Sequence, residues 1–387
     1  MIYFDNSATT HLNQEVLDSM LPFMTEFYGN PSSTYKLGQQ SRFAIDNARR
    51  LISDYIHSTA QEIIFTSGGT ESINLAIKGI AEAFALESGK FDSGHVHLIT
   101  SSIEHSAILS TFKHMNSIGY QVHVIDVEMN GHLKIDDLKN VLEDIVKAGD
   151  KNILATFQYA NSEIGSIQDL RKIVEILKSY KAIVHIDAMQ AMRFFPIDVN
   201  ELNVDMMTFA PHKFYGPKGI GALYLKKSTP IVRQNDGGQQ EYYLRSGTEN
   251  VAGIVGFGKT IEILKRDMPK YFLGTINIRE YFEKKLSETF SEKIKFNSNI
   301  SGGLPSISSI IFKNNQADQI LIQLDMHNIC VSAGSACNSG SIQLSPVLKA
   351  IGIPEEEAKC TVRFSFDHQN TKEEIDKTIE ILKGIIK

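Results

Sequence analysis

The sequence predicts an α/β protein, with a large domain built on a mostly parallel, helix-covered sheet and a smaller α+β domain at the C-terminal end. Three observations carry this. Apolar runs rich in β-branched residues alternate with amphipathic helical patterns from residue 62 to residue 225, the rhythm of βαβ units. One lysine, Lys213, stands in a tight turn punctuated by Pro and Gly between two such runs. With 387 residues the chain is long enough for a large domain plus a smaller one, and its pattern changes near residue 264. The expected division gives 16–263 to the large domain and both 1–15 and 264–387 to the small one.

Residues 1–15 read as a short arm in which Asn6-Ser7-Ala8-Thr9-Thr10 is turn-like. Tyr28-Gly29-Asn30-Pro31-Ser32-Ser33 is a turn before a helix over 39–57. A strand over 62–65 leads into Thr66-Ser67-Gly68-Gly69-Thr70, which opens a helix. Small residues there let the backbone approach closely, and free N–H groups at a helix start bind phosphate, although Gly pairs are common at such joins without any ligand. The strand over 95–101 precedes Glu104-His105-Ser106, where an exposed helix-start histidine is the plainer reading of the residues alone. Strands over 121–127 and 153–158 alternate with helices over 135–146 and 170–180. Asn161 follows at a strand's C-terminal end, where sites of parallel sheets form. The run 182–187 is a buried strand that ends in the carboxylate of Asp187, with Gln190 just beyond. Strands over 204–209 and 221–225 flank Lys213, and the polar, Gly-rich stretches 237–241 and 244–250 read as a mobile loop pair. A helix over 276–290, strands over 306–312 and 329–332, and a last helix over 373–387 complete the chain.

Composition narrows the function. A net charge of -6 gives no basic surface for tight nucleic-acid binding, and no apolar run approaches the roughly 20 residues that span a bilayer. The start Met1-Ile2-Tyr3-Phe4-Asp5 lacks the regions of a signal peptide. Three cysteines, an odd number, argue against a disulfide framework and for a reducing cytoplasm, and none has zinc-ligand spacing. No metal is expected.

The chemistry concentrates around Lys213. A lysine held between buried strands is partly desolvated, which lowers its pKa and favours a Schiff base. Alone it reads equally as a surface-loop lysine, and Asp187 alone reads as a helix cap. Together, a strand-end carboxylate one βα step before such a lysine suits pyridoxal phosphate, whose ring nitrogen the carboxylate keeps protonated.

The motifs Asp187-Ala188-x-Gln190 and His212-Lys213-x-x-Gly216-Pro217-Lys218-Gly219 resemble the class V aminotransferase family and, more narrowly, its NifS/IscS-type group I cysteine desulfurases. The similarity runs from Tyr3-Phe4-Asp5-Asn6-Ser7-Ala8-Thr9-Thr10 to Arg363-Phe364-Ser365-Phe366. It implies a fold-type I pyridoxal phosphate enzyme that converts L-cysteine to L-alanine. By the resemblance, Gly69, Thr70 and His212 belong to the phosphate cup, His105 stacks on the ring and moves protons at sulfur, and Gln190 meets the ring hydroxyl. Asn161 stands near cofactor and substrate, Asn30 and Arg363 contact the substrate, and Thr248 reaches the phosphate of a second subunit, hence a homodimer. Val331-Ser332-Ala333-Gly334-Ser335-Ala336-Cys337-Asn338-Ser339-Gly340 resembles the group I cysteine loop, making Cys337 the persulfide carrier, exposed and mobile among small polar neighbours. Cys330 and Cys360 read as buried filler.

Three departures stand out. Ala210 replaces the usual phosphate-binding serine, Tyr35 replaces a usual histidine, and Asp367 a usual glycine, where a small backbone difference is expected. The family implies a sulfur acceptor, either the iron–sulfur scaffold or a tRNA-thiolating enzyme, and the chain's end at Lys387 favours the latter. Selenocysteine lyase or aminotransferase activity are the alternatives among enzymes. A degenerate sulfur-transfer docking protein is the alternative outside them.

Overall fold

A computed structural model describes residues 1–87, 89–297, 302–333 and 344–386. The chain begins with β1 (Ile2–Tyr3), α1 (Gln14–Thr25) and α2 (Lys36–Tyr55). The alternating region follows as β2 (Ile63–Thr66), α3 (Gly69–Ala85), β3 (Val96–Ser101), α4 (Ser106–Ser117), β4 (Gln121–Ile125), α5 (Ile135–Lys147), β5 (Asn152–Gln158), α6 (Leu170–Ser179) and β6 (Ile183–Asp187). It closes with β7 (Met206–Phe209) and β8 (Gly221–Leu225). Beyond lie α7 (Val251–Phe290), β9 (Ile294–Phe296), β10 (Ile307–Phe312), α8 (Ala317–Met326), β11 (Ile329–Cys330), α9 (Pro346–Ala350), α10 (Glu355–Ala358), β12 (Thr361–Ser365) and α11 (Lys372–Ile385).

The seven-stranded sheet runs in the order β2-β8-β7-β6-β5-β3-β4, parallel from β7 to β4, with β8 antiparallel to both of its neighbours. Its central strands are buried except at the first residues of β5 and β6, as near-continuous Ile/Val/Leu runs require when helices cover both faces. Two apolar cores fill the two sides, one under α2, α5, α6 and the start of α7, the other under α3 and α4. The parallel strands end together: Gln158 and Asp187 are register partners, as are Asp187 and Thr208. That shared edge is where side chains of different strands meet without long loops.

A second body forms on β12-β10-β9, which is antiparallel, with β1 paired to β11 beside it. Phe4, Phe282, Phe364 and Phe366 pack within this core at centroid distances of 4.7 to 6.5 Å. The arm therefore belongs, by its Phe4, to the C-terminal core. Thr371 starts α11 with a capping box, its hydroxyl accepting from Glu374 N while the Glu374 carboxylate accepts from Thr371 N.

Several elements differ from the sequence expectation. The helix expected over 276–290 is the last part of α7, a single 40-residue helix that Asn250 caps and that continues through Pro269. The expected helix over 39–57 begins three residues earlier, at Lys36. The expected strand over 329–332 ends at Cys330, and Ser332 makes an isolated antiparallel bridge to Arg363. The helix α1 was not foreseen. Its start is set by Asn13, whose side chain accepts from Glu15 N.

Candidate active site

Lys213 closes a 3-10 turn, Pro211–Lys213, directly after β7. Proline fixes φ at the turn's first position, so the chain leaves the buried strand in one direction. The Lys213 Nζ donates to the carbonyls of Ser7 and Ala8, both at 2.8 Å. Those carbonyls sit on the arm, which is held against the turn by Thr10. The Thr10 N–H and hydroxyl both donate to His212 O, at 2.9 and 3.0 Å, and the hydroxyl accepts from Tyr215 N at 2.7 Å. Tyr215 takes φ +69, the left-handed region, a strained choice for a tyrosine that these contacts enforce.

Asp187 forms the floor. Its carboxyl is buried and accepts from Met189 N at 3.0 Å. Burial pushes its pKa up to about 6, against the opposing pull of that N–H and the Lys213 charge. His105 is the N-cap of α4, and its Nδ1 accepts from Ala107 N at 3.1 Å. That bond assigns the proton to Nε2. Crowding by neighbouring atoms and then the Lys213 charge lower its pKa, so the imidazole is neutral at pH 7, while part of the ring remains open to solvent. His212 is depressed to about 4 by burial and by Lys213 and Lys218, and its Nδ1 lies 3.2 Å from Thr9 Oγ1.

Gln190 Nε2 donates to Ser7 O at 3.0 Å, the carbonyl that Lys213 also uses. The Ser7 hydroxyl in turn donates to Ser162 O at 2.9 Å. Arg363, buried on β12, donates to the same Ser162 carbonyl at 3.0 Å and pairs with Asp5 at 2.8 Å. Its Nε is buried with no hydrogen-bond partner among the described residues. Ser7 thus joins the lysine end of the site to the arginine end. Of these two groups, the Arg363 guanidinium matches a carboxylate, such as that of an α-amino acid, and the Lys213 amine can form a Schiff base with an aldehyde.

Other expected residues are placed differently. Gly69 is buried at the start of α3, where a Cβ would run into the Met189 thioether, leaving backbone N–H groups of the first helical turn approachable. Thr70 is exposed in that same turn. Asn161 builds its own turn: Oδ1 accepts from Glu163 N and Ile164 N at 2.8 and 2.9 Å, and Nδ2 donates to Ile103 O at 3.0 Å. Asn30 is exposed and accepts from Ser32 N at 2.9 Å within its own loop. Thr248 lies in a separate cleft of about 130 Å³, beside Ser67, Arg245 and Glu249. Cys337 lies outside the described residues. Cys330 and Cys360 have thiol pKa values raised by burial, the opposite of an activated thiolate.

Sequence reasoning missed Glu104 and Asp5. Glu104 is buried beneath His105, accepting from Ser101 Oγ at 2.5 Å and Gln158 N at 2.8 Å. Burial, helped by the nearby Asp187 charge, pushes its pKa well up. Of two neighbouring buried carboxyls, Glu104 keeps the proton and Asp187, nearer to Lys213, carries the charge. Its place at a strand end beside His105 was the available signal.

These residues fit pyridoxal phosphate. A buried carboxylate, a lysine amine, an open imidazole and an approachable helix start under Gly69 supply partners for its ring nitrogen, aldehyde, ring face and phosphate.

The family model "Aminotransferase class-V" matches residues 2–378. The chain is 40% identical over 385 residues to the cysteine desulfurase IscS of Dictyoglomus turgidum, covering 100% of this chain and 94% of the relative. Among solved structures it is similar to a NifS-like protein, with TM-score 0.89, 32% identity, and 99% and 98% of the two chains covered. It is also similar to SspA in complex with cysteine, with TM-score 0.81, 33% identity, and 96% and 100% covered.

Proposed function

The chain belongs to the class-V aminotransferase family, and on that premise we propose how it works as a pyridoxal-phosphate-dependent cysteine desulfurase. It converts L-cysteine to L-alanine and passes the sulfur through an enzyme cysteine to an acceptor protein. The observation that carries the assignment of roles is the Ser7 bridge: its carbonyl accepts from Lys213, and its hydroxyl donates to the Ser162 carbonyl that Arg363 also uses.

Lys213, Asp187, His105, His212, Gln190, Gly69 and Thr70 are the residues that hold the cofactor, which when bound supplies the electron sink for a substrate carbanion. Arg363 binds the cysteine carboxylate, using donors that Asp5 and Ser162 leave over and orient. Asn30 and Asn161 are assigned to the substrate's surroundings. Lys213 takes the proton from the substrate Cα. His105, neutral and protonated on Nε2, serves the substrate sulfur as proton carrier. The Cys337 thiolate bonds to that sulfur as the substrate's carbon–sulfur bond breaks. The bonding pair stays on the carbon fragment, which gains a proton and leaves as alanine. A Cys337 persulfide remains.

Thr248 belongs to a second copy's phosphate site, so the enzyme is read as a homodimer, and its cysteine usage suits the cytoplasm. The chain is divided into 16–263 and 1–15 with 264–387, a division supported by the packing of Ile2 and Phe4 in the C-terminal core. The proposed acceptor is an iron–sulfur scaffold protein or a tRNA-thiolating enzyme.

The test is alanine and persulfide formation by the cofactor-loaded protein given L-cysteine. Lys213→Ala is expected to make neither product. Cys337→Ala is expected to bind cysteine but carry no persulfide by mass spectrometry. Unchanged alanine production by Cys337→Ala would sink the persulfide assignment.

A further inference from the structure

Asp367 sits where the sequence led us to expect only a local backbone difference. Instead it is the centre of a buried cluster that none of the residue roles above uses. Its Oδ2 lies 3.2 Å from Arg193 Nη2 and its Oδ1 2.8 Å from His368 Nδ1. The Tyr215 hydroxyl lies 3.1 Å from the same His368 nitrogen, and Arg193 stacks over the Tyr215 ring at 4.9 Å. Tyr271 of α7 completes the cluster, its ring 4.9 Å from that of Tyr215 and 4.5 Å from that of His368. Asp367 and Arg193 are both buried, so their charges act in a medium that screens them little.

The cluster's position in the chain gives it a role. Tyr215 is two residues after Lys213, and Asp367 is four residues after Arg363, at the exit of β12. Arg193 and Tyr215 come from the seven-stranded-sheet side, Asp367 and His368 from the C-terminal core. We propose that Arg193, Asp367, His368 and Tyr215 form a brace that fixes the separation of Lys213 and Arg363, the groups that receive the amine and the carboxylate of one substrate. They are positioning residues, since none is placed against substrate. In its left-handed conformation the Tyr215 N–H reaches Thr10 and its hydroxyl reaches the brace at His368.

This inference rests on the desulfurase reading, and the experiment separates the two. Tyr215→Phe and Asp367→Asn are made in the full-length, cofactor-loaded enzyme, and steady-state kinetics with L-cysteine are compared with cofactor content and melting temperature. Misplacing a binding group by a fraction of an ångström raises KM for cysteine by about tenfold, with kcat and cofactor content little changed. Asp367→Asn is expected to show that shift in full and Tyr215→Phe a smaller one. A lowered melting temperature with wild-type KM in the folded variants would mean a merely structural cluster and overturn the brace. If Asp367→Asn does not fold, Tyr215→Phe, which keeps the ring over Arg193, decides alone. A wild-type enzyme that makes no alanine from cysteine overturns the desulfurase reading, and the brace with it.

Discussion

Asp187 and Asp367 are both buried aspartates at the ends of strands, and they are held in opposite states. Around Asp367 stand Arg193 and His368, which hold its carboxyl far below the usual carboxylate range despite burial. Around Asp187 stand one N–H and a more distant lysine, and burial wins, raising it to about 6. The difference lies in what the fold has left unfinished. At Asp367 the protein supplies the counter-charge itself, in Arg193, with His368 as a hydrogen-bond partner, so the carboxylate is complete without a ligand. At Asp187 the compensation is incomplete, and a protonated ring nitrogen would complete it. Incomplete compensation at a strand edge is a better mark of a binding site than burial or charge alone.

The contrast can be broken most forcefully at Asp367. Asp367→Asn leaves Arg193 buried without its partner and is expected to cost about 3–5 kcal/mol in urea unfolding. A cost under 1 kcal/mol would show the pair to be dispensable. Asp187→Asn should behave inversely. Turnover of cysteine is expected to fall by about 10²–10³-fold, since a preorganised charge at the reacting centre is lost, while the cofactor-free protein stays folded.

The pH dependence sharpens the comparison. Between pH 3.8, the ordinary aspartate value, and about 6, the folded cofactor-free protein holds a proton on Asp187 that the unfolded chain has released. Stability therefore falls as pH rises through that window, by up to about 3 kcal/mol from this group. Glu104 and Glu163, also raised by burial, slope the same way, so the measurement is the difference between wild type and Asp187→Asn, whose curve should be flatter. Asp367 has the reverse sign. Its contribution is full above the ordinary carboxylate range and is lost only as pH falls through its depressed folded value, so Asp367→Asn removes part of the acid-side decline.

The smallest expected effect is at Ala210. Its methyl is buried in the apolar core with Met189, beside the Gly69 backbone. Ala210→Ser is expected to tighten cofactor binding by at most about tenfold, read by equilibrium dialysis, because a new hydroxyl gains a hydrogen bond to a charged group but loses packing. Weaker binding would mean that the site has repacked around alanine.

What could be read in advance follows from where the information lies. Lys213 and Asp187 were visible as a pair, a lysine in a turn one βα step after a strand-end carboxylate, whereas His105 was singled out only by the family resemblance; the periodicity itself laid out the parallel sheet. The Ser7 carbonyl that receives both Lys213 and Gln190 was not visible, because a backbone oxygen has no letter of its own. Asp5 and Arg363 are 358 positions apart, and Arg193 and Asp367 are 174 apart. Such pairs exist only once the two cores are assembled. The run-on of α7 was not visible, because the change of pattern near residue 264 read as a boundary, whereas the helix continues through it and through Pro269.

That helix has a mechanical consequence. Forty residues at 1.5 Å each make a rod of about 60 Å that enters both cores. Pro269 has no N–H to give to the preceding turn, so bending stiffness is lowest there. Tyr271, two residues on, is the point at which α7 touches both Tyr215 and His368. The rod is thus splinted beside its own notch, close to the turn that carries Lys213 rather than at its far ends.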